Sequence, residues 1–185
     1  MPGIDQSRQF VPLKIAVLTV SDTRAADEDK SGATLIERIR AAGHVLAERA
    51  IVKDEIKAIR QRVKAWIADK SIDVVMTTGG TGFTGRDVTP EAVEPLFEKK
   101  MDGFATMFLL VSERKIGTSA IQTRATAGVA NATYIFCLPR CLGRNSGPPA
   151  RLPLPALQFR GDLAEARRAS ATPQSKRRDG VTNLA

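Results

Sequence analysis

Lys14-Ile-Ala-Val-Leu-Thr-Val20 is an apolar run with no alternation of polar residues. A strand of that kind is buried on both faces, which calls for a parallel sheet between two helical layers. The residues after it keep the pattern. Ser31 can cap a helix over Ala33–Ala42, with Leu35, Ile36 and Ile39 on one side and Gly43 as its stop. Val45 to Val52 reads as a second strand. Asp54 then precedes a helix whose Ile56, Ile59, Val63, Trp66 and Ile67 share one face. Ile72 to Thr78 is a third strand running into a glycine-rich loop. Thr89-Pro90-Glu91 opens the next helix, with Thr as cap, Pro at the first helical position and an acid in the first turn. Helical stretches extend to about residue 128, and Thr133 to Leu138 is a fourth strand. The expected fold is α/β, a three-layer, mostly parallel sheet with helices on both faces.

Charge narrows the function. Residues 1–138 hold 19 Lys and Arg against 17 Asp and Glu, whereas residues 139–185 hold 9 against 3. Most of the formal charge of +8 therefore belongs to a tail. The folded part lacks the basic face that nucleic-acid binding requires. No run of about eighteen apolar residues offers a membrane span. Met1 to Pro12 is a polar extension without an apolar signal core, so a cytoplasmic protein is expected. Cys137 and Cys141 form neither a disulfide framework nor a zinc set.

The segment richest in chemistry is Thr77-Thr-Gly-Gly-Thr-Gly-Phe-Thr-Gly-Arg-Asp-Val-Thr-Pro-Glu91. It follows a buried strand, at the carboxyl edge where open α/β sheets bind ligands. Gly79, Gly80 and Gly82 allow backbone N–H groups to approach an anion, and the next helix start adds positive potential. A phosphate is the natural guest, although a tight strand-to-helix connection also uses glycine clusters. Gly80-x-Gly82-x-x-Gly85 matches the dinucleotide fingerprint literally. It follows the third strand rather than the first, however, and no acid ends a strand directly after it. The P-loop fails too, because Arg86 and Asp87 stand where Lys and Ser or Thr belong.

Thr77-Thr-Gly-Gly-Thr-Gly followed by Arg86-Asp-Val-Thr-Pro-Glu resembles the signature of the molybdopterin-binding (MoaB/Mog) family. Val20-Ser-Asp-Thr23, Lys53-Asp-Glu55, Ile116-Gly-Thr-Ser119 and Thr123-Arg-Ala125 are similar to its B-protein branch. The resemblance spans about residues 10–139 and places the domain at 13–139, after an extension over 1–12. It implies a molybdenum cofactor protein that binds molybdopterin and, in the adenylyltransferase members, joins AMP from ATP to its terminal phosphate with Mg²⁺. By the same resemblance Asp54 and Asp87 are the implicated acids and would hold Mg²⁺ over the phosphates. As residues alone, Asp54 could equally cap its helix and Asp87 a turn. The resemblance makes Thr78, Gly79, Gly80, Thr81, Gly82, Arg86, Thr89, Pro90, Glu91 and Pro139 the substrate-binding set. Ser21 and Asp22 could line the same edge or serve a turn. Relatives of this kind form trimers or hexamers, so a homo-oligomer is implied for an intact form. A noncatalytic pterin-binding or oligomeric module is the alternative, and a nicotinamide-dinucleotide domain a remote third.

The likeness stops after Leu138-Pro139. Family members continue with Gly-Ser and a final helix, whereas this chain continues Arg140-Cys141-Leu142. Back-translating Cys141 to Ala166 and reading one base later permits AWDGILAPQLDSRSRPCNFVGILPRL, which resembles the end of the B proteins. Residues 140–185 thus read as a frame-displaced, basic, disordered tail that lacks the last helix.

Overall fold

The computed structural model describes residues 10–22 and 29–140. Residues 1–9 of the extension over 1–12, and all of the tail over 140–185 except Arg140, lie outside the described residues, and so does the expectation about the tail's order. Along the chain run β1 (Lys14–Val20), α1 (Lys30–Ala41), β2 (Val45–Val52), α2 (Ile56–Ala68) and β3 (Val74–Thr78). Then follow α3 (Thr89–Val93), β4 (Lys99–Lys100), α4 (Asp102–Ile116), β5 (Thr126–Ala130) and β6 (Thr133–Leu138), with 3₁₀ turns at Glu94–Leu96 and Gly117–Gln122.

The strands form one sheet in the order β2-β1-β3-β6-β5-β4. β1, β2, β3 and β6 are mutually parallel, while β5 runs against β6 and β4. All of β3 is buried, and so is β1 except Lys14, as their unbroken apolar texture requires. One face carries Ile15, Val17, Val74, Met76, Phe136 and Leu138 under α1 and α4. The other carries Ala16, Leu18, Val75, Ile135 and Cys137 under α2 and α3. This is the expected three-layer α/β arrangement. Each fully buried Leu, Ile or Val contributes roughly 1.5–3 kcal/mol, so both layers are needed to hold the sheet.

The parallel register sets Val20 beside Val52, Thr19 beside Thr78, and Thr78 beside Leu138. The segments after all four parallel strands therefore leave from one edge. β2 and β3 also lie on opposite sides of β1, which opens a crevice between the ends of β1 and β3.

Several local expectations needed correction. The sheet has six strands, and helix does not continue to residue 128. α4 stops at Ile116, and Thr126–Ala130 is strand β5. Its small residues hide it, because Gly128 makes room for the Phe97 ring. β5 turns into β6 through Asn131 and Ala132, both at positive φ (46° and 61°), the pairing a two-residue hairpin demands. The third strand begins at Val74 rather than Ile72. The cap of α1 is Asp29, not Ser31. The Asp29 carboxylate accepts from the Gly32 N–H at 2.9 Å and also takes the Thr19 hydroxyl and the Arg49 guanidinium. Thr89 is the first residue of α3 rather than its cap, and Ile56 is exposed. No helix among the described residues is long and apolar enough to cross a membrane.

Candidate functional site

The loop after β3 bends at Gly79 and Gly80, with φ of 105° and 62°. Both lie in the left-handed region where only glycine sits without strain. A side chain at Gly79 would run into the Val20 carbonyl, and one at Gly80 into the Thr89 hydroxyl and the Asp54 carboxylate. These glycines are thus needed twice, for conformation and for close approach. The Gly79 N–H donates to the Leu138 carbonyl at 3.1 Å, and the Thr89 hydroxyl donates to the Gly79 carbonyl at 2.9 Å. The loop is pinned to β6 on one side and to α3 on the other.

Two acids approach it from different elements. Asp54 sits between β2 and α2, but it does not cap α2: that position is Glu55, whose side chain makes no capping bond. The Asp54 carboxylate instead accepts from the Val88 N–H at 3.1 Å, across the edge of the sheet. Burial pushes its carboxyl above the ordinary Asp value, and the negative charges of Asp87 and Asp22 push the same way. Asp87 lies within the loop and accepts the Thr84 N–H at 3.0 Å and the Thr84 hydroxyl at 2.5 Å. Burial alone would raise this carboxyl too. The Thr84 bonds and the Gly82 N–H outweigh it and hold Asp87 below the ordinary value. The expectation that loop N–H groups face an external anion is modified accordingly, since two of them hold the loop's own carboxylate.

Asp22 joins the acids to the far rim. It accepts the Asp54 N–H at 3.1 Å and the Arg86 guanidinium at 2.7 Å, and the Arg86 bond holds its carboxyl low. Arg86 is thus engaged with Asp22 on the surface of the loop.

Gly79, Gly80, Thr81, Gly82, Asp87 and Pro139 line one cavity of about 300 Å³. Its other wall is Ile116, Ser119, Gln122 and Thr123, with Arg140 at the margin. The remaining sequence-derived residues divide. Thr78 is buried at the strand end, and Thr89 is buried against the loop. Ser21 and Asp22 face a separate cavity of about 500 Å³ with Arg49 and Lys53. Pro90 and Glu91 face a third, of about 350 Å³, with Lys100 and Arg124.

Arg124 had no role assigned from sequence, yet it ties the loop together. Its guanidinium donates to the Gly82 carbonyl at 2.9 Å and the Asp87 carbonyl at 2.6 Å, pairs with Glu91, and lies over the Phe83 ring. Nothing in a Thr-Arg-Ala triplet announces that reach, because it depends on the segment before β5 lying against the β3 loop, where the Arg124 N–H also donates to the Thr81 carbonyl. The Ile116-Gly-Thr-Ser119 motif carries part of the resemblance, but its place in the cavity wall, at a 3₁₀ turn over Gly117–Gln122, had no assignment from sequence.

Among the described residues no three His, Cys, Asp or Glu gather as a metal cage. Asp54 and Asp87 are nonetheless close enough for one charge to disturb the other. Two carboxylates suit Mg²⁺, which is commonly held by one or two acids together with substrate phosphates.

Comparison with known proteins agrees with this geometry. Residues 16–142 match the family described as "Probable molybdopterin binding domain". The chain is 48% identical over 133 residues to molybdenum cofactor biosynthesis protein B of Escherichia coli K12, covering 72% of this chain and 78% of that one. A crystal structure of a molybdenum cofactor biosynthesis protein B superposes with a TM-score of 0.77 at 36% identity, over 87% of this chain and 99% of the other. The tungsten cofactor synthesizing protein MoaB from Pyrococcus furiosus superposes with a TM-score of 0.69 at 34% identity, over 84% and 98%. The chain belongs to the molybdopterin-binding-domain family of molybdenum cofactor biosynthesis proteins.

Proposed function

We propose that the chain acts in molybdenum cofactor biosynthesis by binding molybdopterin at the edge formed by the β3 loop, with the pterin phosphate directed toward Asp54 and Asp87. The observation that carries this reading is the convergence of a glycine loop, Asp87 and the end of β6 around one cavity, with the Asp54 carboxylate packed against Gly80 of the same loop. Where ATP also binds, an oxygen of the pterin phosphate attacks the α-phosphorus of ATP and pyrophosphate leaves. A Mg²⁺ bound there would offset phosphate charge and polarise the attacked phosphoryl group. Asp87, held ionised by the loop, is the stronger candidate to face the cation. Asp54, whose carboxyl burial raises above the ordinary Asp value, is the second candidate.

The test is transfer of labelled AMP from Mg-ATP to molybdopterin by the full chain. Asp87→Asn should lower it by about 100-fold or more, equivalent to roughly 2.7 kcal/mol, with the fold retained. Unchanged transfer would remove Asp87 from the chemistry. Pterin binding without any transfer in the unsubstituted chain would favour the noncatalytic pterin-binding alternative.

The homo-oligomer belongs to the same proposal. Met107, Leu109, Leu110 and Ile116 on α4, and Ile121 beyond it, are exposed apolar side chains close along the chain. Such clusters mark protein contacts. A monomer by sedimentation would oppose it. The displaced frame read after Pro139 has its own test, since restoring it should raise both melting temperature and pterin affinity.

A further inference from the structure

Arg140 is the last described residue and the first after Pro139, so its backbone position is fixed by the end of β6. Its exposed side chain lines the same cavity as Asp87 and the Gly79–Gly82 loop. We propose that Arg140 is a specificity-determining residue of this cavity, supplying a protein-borne positive charge that takes a phosphate group without a divalent cation and weakens cation binding at Asp54 and Asp87. The inference rests on the reading of the cavity as a phosphate site and goes further by naming what neutralises the phosphate.

The physical case has three parts. The cavity margin is otherwise acidic or neutral: Asp87, Ser119, Gln122, Thr123 and glycine backbone. Two of the loop's N–H groups hold the Asp87 carboxylate, so loop amides alone do not provide the charge a phosphate needs. The other two arginines nearby are engaged elsewhere, Arg86 with Asp22, and Arg124 with Glu91 and two loop carbonyls. Arg140 is close enough that its charge is felt by both Asp54 and Asp87. A guanidinium fork suits phosphate oxygens, and a fixed cation beside two carboxylates repels a second cation.

The experiment titrates the full chain and its Arg140→Gln and Arg140→Lys variants with two probes, Mn²⁺ alone and inorganic pyrophosphate in EDTA. Arg140→Gln should bind Mn²⁺ about threefold to tenfold more tightly and pyrophosphate more weakly by a similar factor, because one unit charge is removed from a partly screened site. Arg140→Lys should restore most of both effects. Equal constants for the unsubstituted chain and Arg140→Gln, or a fall in both affinities together, overturn the proposal. The unsubstituted chain failing to bind pyrophosphate in EDTA while binding it with Mn²⁺ also overturns it, yet leaves the phosphate-site reading standing. Binding of pyrophosphate under neither condition removes both.

Discussion

Asp87 lines the cavity and Asp54 packs against Gly80 of the same loop, and the two regions that hold them are built on opposite terms. The β2–α2 junction presents Asp54 with one backbone donor, the Val88 N–H, and with two neighbouring acids. The glycine loop wraps Asp87 in donors from Thr84 and Gly82. Burial disfavours charge on both, and only the loop supplies enough hydrogen bonds to reverse it. Two carboxyls with the same intrinsic chemistry are thus pushed in opposite directions by their environments. The loop's glycines serve that end by letting the backbone fold back on its own aspartate and by letting Asp54 approach Gly80.

The loop is the easier region to break, and the largest effect should come from Gly80→Ala. A non-glycine residue at this φ costs roughly 1–3 kcal/mol by itself, and the methyl would also strike Thr89 and Asp54. A melting temperature lowered by several degrees and loss of pterin binding are expected. An unchanged thermal midpoint would mean that the loop is looser than described.

Arg124→Ala should come next. It leaves the Gly82 and Asp87 carbonyls without their donor, and bonds to a charged group contribute about 1.5–3 kcal/mol each when well buried, less at this partly open position. Chemical denaturation should show a lower midpoint with little change in slope. No change in midpoint would place the loop's support elsewhere.

Asp87→Asn and Asp54→Asn then sharpen the comparison by their signs. Asp87 has a folded value below the ordinary one. Its stabilisation is therefore present above about pH 4 and is lost as pH falls through the folded value. Asp87→Asn should cost roughly 1 kcal/mol at neutral pH, from the lost charge-assisted bonds, and progressively less in acid. Asp54 has a raised folded value, so any stability it contributes is present in acid and lost as pH rises through that value. Asp54→Asn keeps an acceptor for the Val88 N–H and should raise the neutral-pH unfolding free energy by about a few tenths of a kcal/mol, with the gain vanishing in acid. Melting curves between about pH 2 and 8 decide it, a window that spans the ordinary Asp value of about 3.9 and values on either side of it. Matching signs for the two variants would erase the distinction.

Much of this was legible in the sequence because it depends on local pattern. Lys14–Val20 read as a buried strand and is one, and the Thr77–Glu91 segment read as the glycine loop that follows β3. What stayed hidden depends on partners distant along the chain. Asp54 looked like a helix cap until Val88, 34 residues on, proved to be its donor. Ser31 gave way to Asp29 because Thr19 and Arg49 converge on that carboxylate. β5 was read as helix because Ala and Gly carry little strand signal, and its hairpin turn uses Asn-Ala in place of Asn-Gly. Arg124 sits in the Thr123-Arg-Ala125 motif, but the triplet does not reveal its partners, which are loop carbonyls and Glu91.

The central claim is that molybdopterin binds at the β3 loop rather than in either neighbouring cavity. Titration of the isotopically labelled full chain with molybdopterin, followed by amide and Asp carboxyl resonances, tests it most directly. Saturating shifts should concentrate on Gly79–Gly82, Asp87, Ser119–Thr123 and Arg140, with the Asp54 carboxyl moving as the phosphate arrives. Shifts centred on Arg49–Lys53, or on Glu94, Lys100 and Thr126, with the loop unmoved, would contradict it.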